Sequence, residues 1–150
     1  MKLPEDEITI SALNFWAQTY QQVAAFWRYL REQSSNVGGT QLTAFNVECQ
    51  SDATGPTISA WAEGGIGNGE AITWWLDINY RENGWLLSAS VSWNGNDTII
   101  KLPEQVVADF RAVQKVVPLL LEELFKVGLP TFELAIERSK KNKLEVEDSP

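Results

Sequence analysis

The 150-residue chain is predicted to fold as a single α+β domain, a five-stranded antiparallel meander with one face covered by helices. Three observations predict this class. Residues 71–102 alternate apolar and polar side chains with period 2, the periodicity of a half-buried strand. That run is punctuated by Asn83-Gly84 and by Asn94-Gly95-Asn96, and Asn-Gly between alternating segments is a strong hairpin signal. On either side of the strand block, apolar residues recur every three or four positions, so the sheet's apolar face has helices available to cover it.

The first helix is expected over residues 11–31. Leu13, Trp16, Tyr20, Val23, Trp27 and Leu30 form its stripe, widened by Phe15, Phe26 and Tyr29. Ser11 is the expected N-cap, and Gly38-Gly39 ends the segment. Residues 43–50 form a first strand, with Phe45, Val47 and Cys49 on one side and Ala44, Asn46 and Glu48 on the other. A loop over 51–56 leads to a second strand over 57–63. The run Gly64-Gly65-Ile66-Gly67-Asn68-Gly69 then reads as a flexible link to the third strand. A link of that length leaves the register open, so Trp61 is assigned to neither face.

Strands three and four carry the clearest pattern. With Asn83-Gly84 as the two turn residues, Tyr80 pairs with Leu87, Ile78 with Ala89, Leu76 with Val91 and Trp74 with Trp93, all on an apolar face. The opposite face reads Arg81 with Leu86, Asn79 with Ser88, Asp77 with Ser90 and Trp75 with Ser92. Residues 97–102 give a fifth strand, with Thr98, Ile100 and Leu102 expected on the core side and Ile99 on the polar side. Pro103 and Glu104 suit the start of a second helix carrying Val106, Phe110, Val113, Val117, Leu124 and Val127, kinked at Pro118 and ended by Gly128 and Pro130. A short final helix over 131–141 follows. The domain spans 1–143, and 144–150 reads as a disordered tail.

The net charge of −8 is unevenly placed. Residues 32–100 hold eight acids against Arg81 alone, a net −7. Such a block argues against nucleic acid as a partner, because phosphate contacts need Lys and Arg, and it accommodates a basic protein. No stretch approaches the roughly 20 apolar residues that span a bilayer, so no membrane association is expected. The acidic start, without an apolar core, does not read as a secretory signal, and the single Cys49 permits no intrachain disulfide. A cytoplasmic location is therefore expected.

The chain has no histidine. Serine–histidine and cysteine–histidine nucleophile pairs are thereby excluded, and with one cysteine no thiolate zinc site is possible, so neither a metal nor a cofactor is expected. The glycine run resembles a phosphate loop only in composition, since it joins strand to strand and no lysine follows. No motif carries a family resemblance.

What stands out is Trp75, an indole on a face otherwise rich in Ser and Asp. Aromatic residues are enriched at binding hot spots. The first functional expectation is therefore a non-enzymatic acidic protein-binding module, of the inhibitor, immunity-protein or chaperone kind, with Trp75, Asp77, Leu86, Ser90 and Glu48 meeting a basic protein partner. The alternative is a carrier or sensor of small apolar ligands, with Trp16, Trp27, Trp74, Trp85 and Trp93 lining a cavity between sheet and helices. A third reading is a carboxylate-based enzyme using acids such as Asp77 and Glu48. A homodimer could form through the polar sheet face or an edge strand.

Overall fold

The computed structural model describes residues 4–35, 43–52 and 55–147. It shows an α+β domain in which one antiparallel sheet is packed on one side by two long helices. The elements run α1 (Pro4–Ser35), β1 (Ala44–Asp52), β2 (Gly55–Gly67), β3 (Glu70–Arg81), β4 (Gly84–Trp93), β5 (Asp97–Lys101), β6 (Gln105–Val107) and α2 (Phe110–Glu147). The strands follow chain order from β1 to β5, and the short β6 pairs with the other end of β4. The expected fold class is present, with a sixth strand added.

The apolar side chains of β3 and β4 form the floor of the core. Trp74, Leu76, Ile78, Leu87 and Val91 are almost wholly buried, under Val23 and Leu30 of α1 and Val113, Val117, Leu121, Leu124 and Phe132 of α2. Trp74 is fully enclosed. Its ring meets Phe26 and Phe132 edge-on, with centroids 4.9 Å and 5.7 Å away. A β-carbon on Gly128 would lie 2.4 Å from the Trp74 Nε1, so α2 reaches this ring only because position 128 has no side chain. Gly64 does the same for β2, where a β-carbon would meet Phe132 at 2.8 Å and Leu30 at 3.2 Å. These two glycines act as packing surfaces within regular elements, where the sequence pattern had made them a helix stop and part of a flexible link.

Several expected boundaries move. Helix α1 starts at Pro4, so Ser11 lies inside it rather than capping it. Its sheet-facing line runs through Phe15, Thr19, Val23, Phe26 and Leu30, while Leu13, Trp16 and Tyr20 are exposed, the last two beside β1. A stripe more than half a helix wide does not say which part of it faces the sheet, and the crossing of α1 over β1 and β2 decides that. The loop expected over 51–56 is largely strand, because β1 runs to Asp52 and β2 begins at Gly55.

Pro103 does not open a helix. Leu102 turns into the core, its N–H donating to the Ala89 carbonyl at 2.9 Å, and residues 105–107 form β6 opposite residues 85–87. Val107 packs on the core and Val106 projects beside Leu86 on the other face, the period-2 behaviour of a strand. The cap of α2 is Asp109, whose carboxylate accepts the Ala112 N–H at 2.8 Å. The helix then continues through both Pro118 and Pro130 to Glu147, so the separate final helix is its last part and residues 144–147 of the expected tail are helical. Pro130 and Lys126, whose carbonyl loses its donor to that proline, both lie on the exposed side of α2, where water can serve instead. Gln22 of α1 bonds the Pro118 carbonyl at 2.8 Å, and the Tyr29 hydroxyl donates to Glu133 at 2.8 Å, tying the helices together. That bond to the Glu133 carboxylate, with burial and the nearby charges of Glu133 and Glu32, raises the Tyr29 phenol above its usual pKa. Residues 148–150 and Gly38-Gly39 lie outside the described residues.

The β3–β4 turn is Glu82-Asn83, since Arg81 pairs with Gly84. The register is therefore two residues from the expected one. Trp74 faces Val91 and Ile72 faces Trp93, Leu76 faces Ala89, Ile78 faces Leu87 and Tyr80 faces Trp85. Gly84 is held in the strand because its φ of 133° suits glycine and because a β-carbon there would sit 2.3 Å from the Val107 carbonyl oxygen of β6. A shift of two preserves every face assignment, since side chains alternate with period 2. In the next turn Asn94 and Gly95 take φ of 53° and 73°. A register shift between Val91 and Ser92 then pairs Ser92 with Thr98 and Val91 with Ile100. Thr98 therefore lies on the polar face, contrary to the simple alternation, while Ile100 and Leu102 stay with the core.

Candidate functional site

Neither helix covers the polar face of the sheet. The pairing registers arrange its side chains in rows that cross the strands. The central row is Asn46, Trp61, Trp75, Ser90 and Lys101. One flanking row is Ala44, Glu63, Thr73, Ser92 and Thr98. The other is Glu48, Ser59, Asp77 and Ser88, followed by Gln50, Thr57, Asn79, Leu86 and Val106.

Trp61 and Trp75 are direct cross-strand partners. Their rings lie parallel within 7°, with centroids 5.9 Å apart. Both indoles are half-buried. With Glu63, Thr73, Ser90, Ser92, Gly95 and Thr98 they line a concavity of about 450 Å³ on the open face. Around it the polar groups are tethered. Ser59 donates to Asp77 at 2.7 Å, and Thr57 to Asn79 at 2.9 Å. Glu48 accepts from Asn46 at 2.8 Å and from Gln50 at 3.3 Å. Glu63 is held more loosely, its Oε1 lying 3.5 Å from the Thr73 hydroxyl.

The orientation of Trp61 follows from a local irregularity. At the β2–β3 turn, Asn68-Gly69, Gly67 pairs with Glu70, but Gly65 pairs with Ala71, so Ile66 is an extra residue on β2. Had the register at the turn continued unbroken, Ala62 would oppose Trp75 and Trp61 would point into the core. The one-residue bulge reverses the faces of all of β2 and puts Trp61 beside Trp75. Glycines on both sides make the bulge accessible, with Gly67 at φ 100°. A regular hairpin gives no sign of such a bulge, and the sequence signal for it is only the glycine spacing itself.

Of the residues expected to meet a partner, Trp75, Asp77, Ser90, Glu48 and Leu86 all lie on this face. Trp75 and Ser90 share the central row and the concavity, Asp77 and Glu48 share the next row, and Leu86 stands a row further out beside exposed Val106. Trp61, whose face the sequence left open, lies with them, as do Glu63 and Thr73.

The five tryptophans of the alternative cavity fall into separate clusters. Trp16 and Trp27 flank Tyr20 and Phe45 near β1, Trp74 lies among Phe26, Phe132 and Gly128, and Trp85 packs with Tyr80 and Phe110. Trp93 borders a smaller surface hollow with the far end of α2. Trp16 donates its indole N–H to the Val47 carbonyl at 3.2 Å, whereas the buried N–H groups of Trp27 and Trp74 have no acceptor among the described residues. Edge strand β1 is occupied at Val47 on both counts, since its N–H donates to Asn46 Oδ1 at 2.9 Å.

Among the described residues, no three His, Cys, Asp or Glu side chains gather as a metal site, and no helix is long and apolar enough to cross a membrane. Compared with protein-family models, with curated proteins and with solved structures, the chain matches none.

Proposed function

We propose that the chain is a non-enzymatic, acidic protein-binding module that docks a basic protein partner on its open sheet face, in the manner of an inhibitor, immunity protein or chaperone. The observation that carries this reading is the parallel Trp61–Trp75 pair at the centre of the face that neither helix covers. A pair of half-buried indoles supplies rigid contact area at low entropic cost, and tryptophan is the residue type most enriched at binding hot spots. The carboxylates of Glu48, Glu63 and Asp77 share this face, and the sheet block as a whole is net −7. Such a field speeds encounter with a basic surface and repels an acidic one. The lone Cys49, exposed and free, fits a reducing cytoplasm.

The test is affinity capture from the source-cell lysate on immobilised wild type, Trp75→Ala and Asp77→Asn, each eluted with rising salt. A single basic protein held by the wild type, released by salt and lost with Trp75→Ala, is the expected result. Equal capture on wild type and Trp75→Ala, with the variant folded by circular dichroism, would remove the sheet face from the interaction.

A further inference from the structure

We propose that the concavity beside Trp61 and Trp75 takes an arginine side chain of the partner, its guanidinium laid on an indole face and its N–H groups directed to Glu63. This rests on the docking reading above and names the group that the face recognises.

Charge decides the sign of the occupant. Glu63 is the ionisable residue that lines the concavity, and no base lines it. The two bases of the same sheet face are engaged elsewhere. Lys101 is 3.4 Å from Glu104, and Arg81 donates to the Tyr80 carbonyl at 3.0 Å. Glu63 has a single hydroxyl near it, at the limit of hydrogen-bond distance, and so keeps acceptor capacity for an incoming donor. The other carboxylates close by, Asp77 and Glu48, do not line the concavity and are tied down by shorter bonds, Asp77 to Ser59 and Glu48 to Asn46.

Shape decides between the two basic side chains. The indoles present parallel, flat faces, and the hydroxyls of Ser90, Ser92 and Thr98 stand around them as acceptors. A guanidinium is planar, weakly hydrated and carries five N–H donors in a fixed fork, so it stacks and bonds at once. An ammonium is a strongly hydrated point charge that gains less from a flat face.

The experiment titrates the full chain with three hexapeptides that alternate glycine with arginine, with lysine or with citrulline, the neutral isostere of arginine. Binding is read from indole N–H signals in NMR spectra and from tryptophan fluorescence. The arginine peptide is expected to bind at least tenfold more tightly than the citrulline peptide and several-fold more tightly than the lysine peptide. Trp61 and Trp75 signals should move while that of enclosed Trp74 stays. Glu63→Gln, which keeps the side-chain shape, should reduce the arginine-to-citrulline ratio to near one, and Trp75→Phe should retain more binding than Trp75→Ala. Equal affinity for arginine and lysine, or for arginine and citrulline, overturns the proposal, as does quenching by cellohexaose in place of the peptides. Should capture of the partner still be lost with Trp75→Ala, the docking reading survives and only the arginine assignment falls. If the peptides discriminate but capture is unaffected, it is the docking reading that falls.

Discussion

Trp74 and Trp75 are neighbours in sequence and point to opposite sides of the same strand, and everything around them differs. Trp74 is fully enclosed by Phe26, Phe132 and the bare backbone of Gly128, and its N–H has no acceptor among the described residues. Trp75 lies half open beside Trp61, among hydroxyls and carboxylates. The first ring is placed for close packing on every side. The second ring keeps one face available. An indole held by a cross-strand partner but uncovered by any helix is what separates the open sheet face from the core.

That contrast is breakable. Trp74→Ala is expected to lower unfolding free energy by about 3–5 kcal/mol, measured by urea denaturation, because the cavity opens at the junction of both helices and the sheet. Next comes Gly128→Ala. On an isolated helix alanine would add about 1 kcal/mol relative to glycine. Here its β-carbon collides with the Trp74 ring, so a net loss of about 1–3 kcal/mol is expected. A gain in stability would mean that α2 can retreat from Trp74 and that the close approach is not required. Trp75→Ala should cost only about 1 kcal/mol, the scale of a cross-strand aromatic pair, and a double-mutant cycle with Trp61→Ala should return about 0.5–1.5 kcal/mol of coupling. A loss as large as that of Trp74→Ala would make the two faces equivalent. The last change is at the sheet edge and is read in association rather than in stability. Removing both Trp16 and Asn46 side chains frees the Val47 N–H and carbonyl, and sedimentation should then show more self-association than in the wild type. An unchanged monomer–dimer balance would show that β1 is guarded by something other than these two side chains.

Much of the candidate face is legible in the sequence. The odd placement of Trp75 among Ser and Asp follows from counting outward along one hairpin, and that count tolerates a two-residue error in the turn without moving a side chain to the wrong face. Trp61 was not readable, although it completes the same site. Its face depends on one extra residue, Ile66, between two glycines, and a bulge reverses parity where a two-residue shift preserves it. Thr98 escaped for the same reason, through the irregularity opposite Val91 and Ser92.

The sequence by itself determined the α+β class, the order of five strands and the division of β3 and β4 into an apolar and a polar face. These are repeated, local signals, and each residue of an alternating run supports the same answer. Tertiary structure alone decided the rest. Val106 and Val107 join the sheet because β4 has a free edge beside them, although Pro103 and the apolar spacing suit a helix. Gly128 and Pro130 stay within α2 because the helix must pass over Trp74. Single residues with two local meanings, a glycine that can stop a helix or admit a neighbour, a proline that can begin a helix or end a strand, take the meaning that packing leaves open to them.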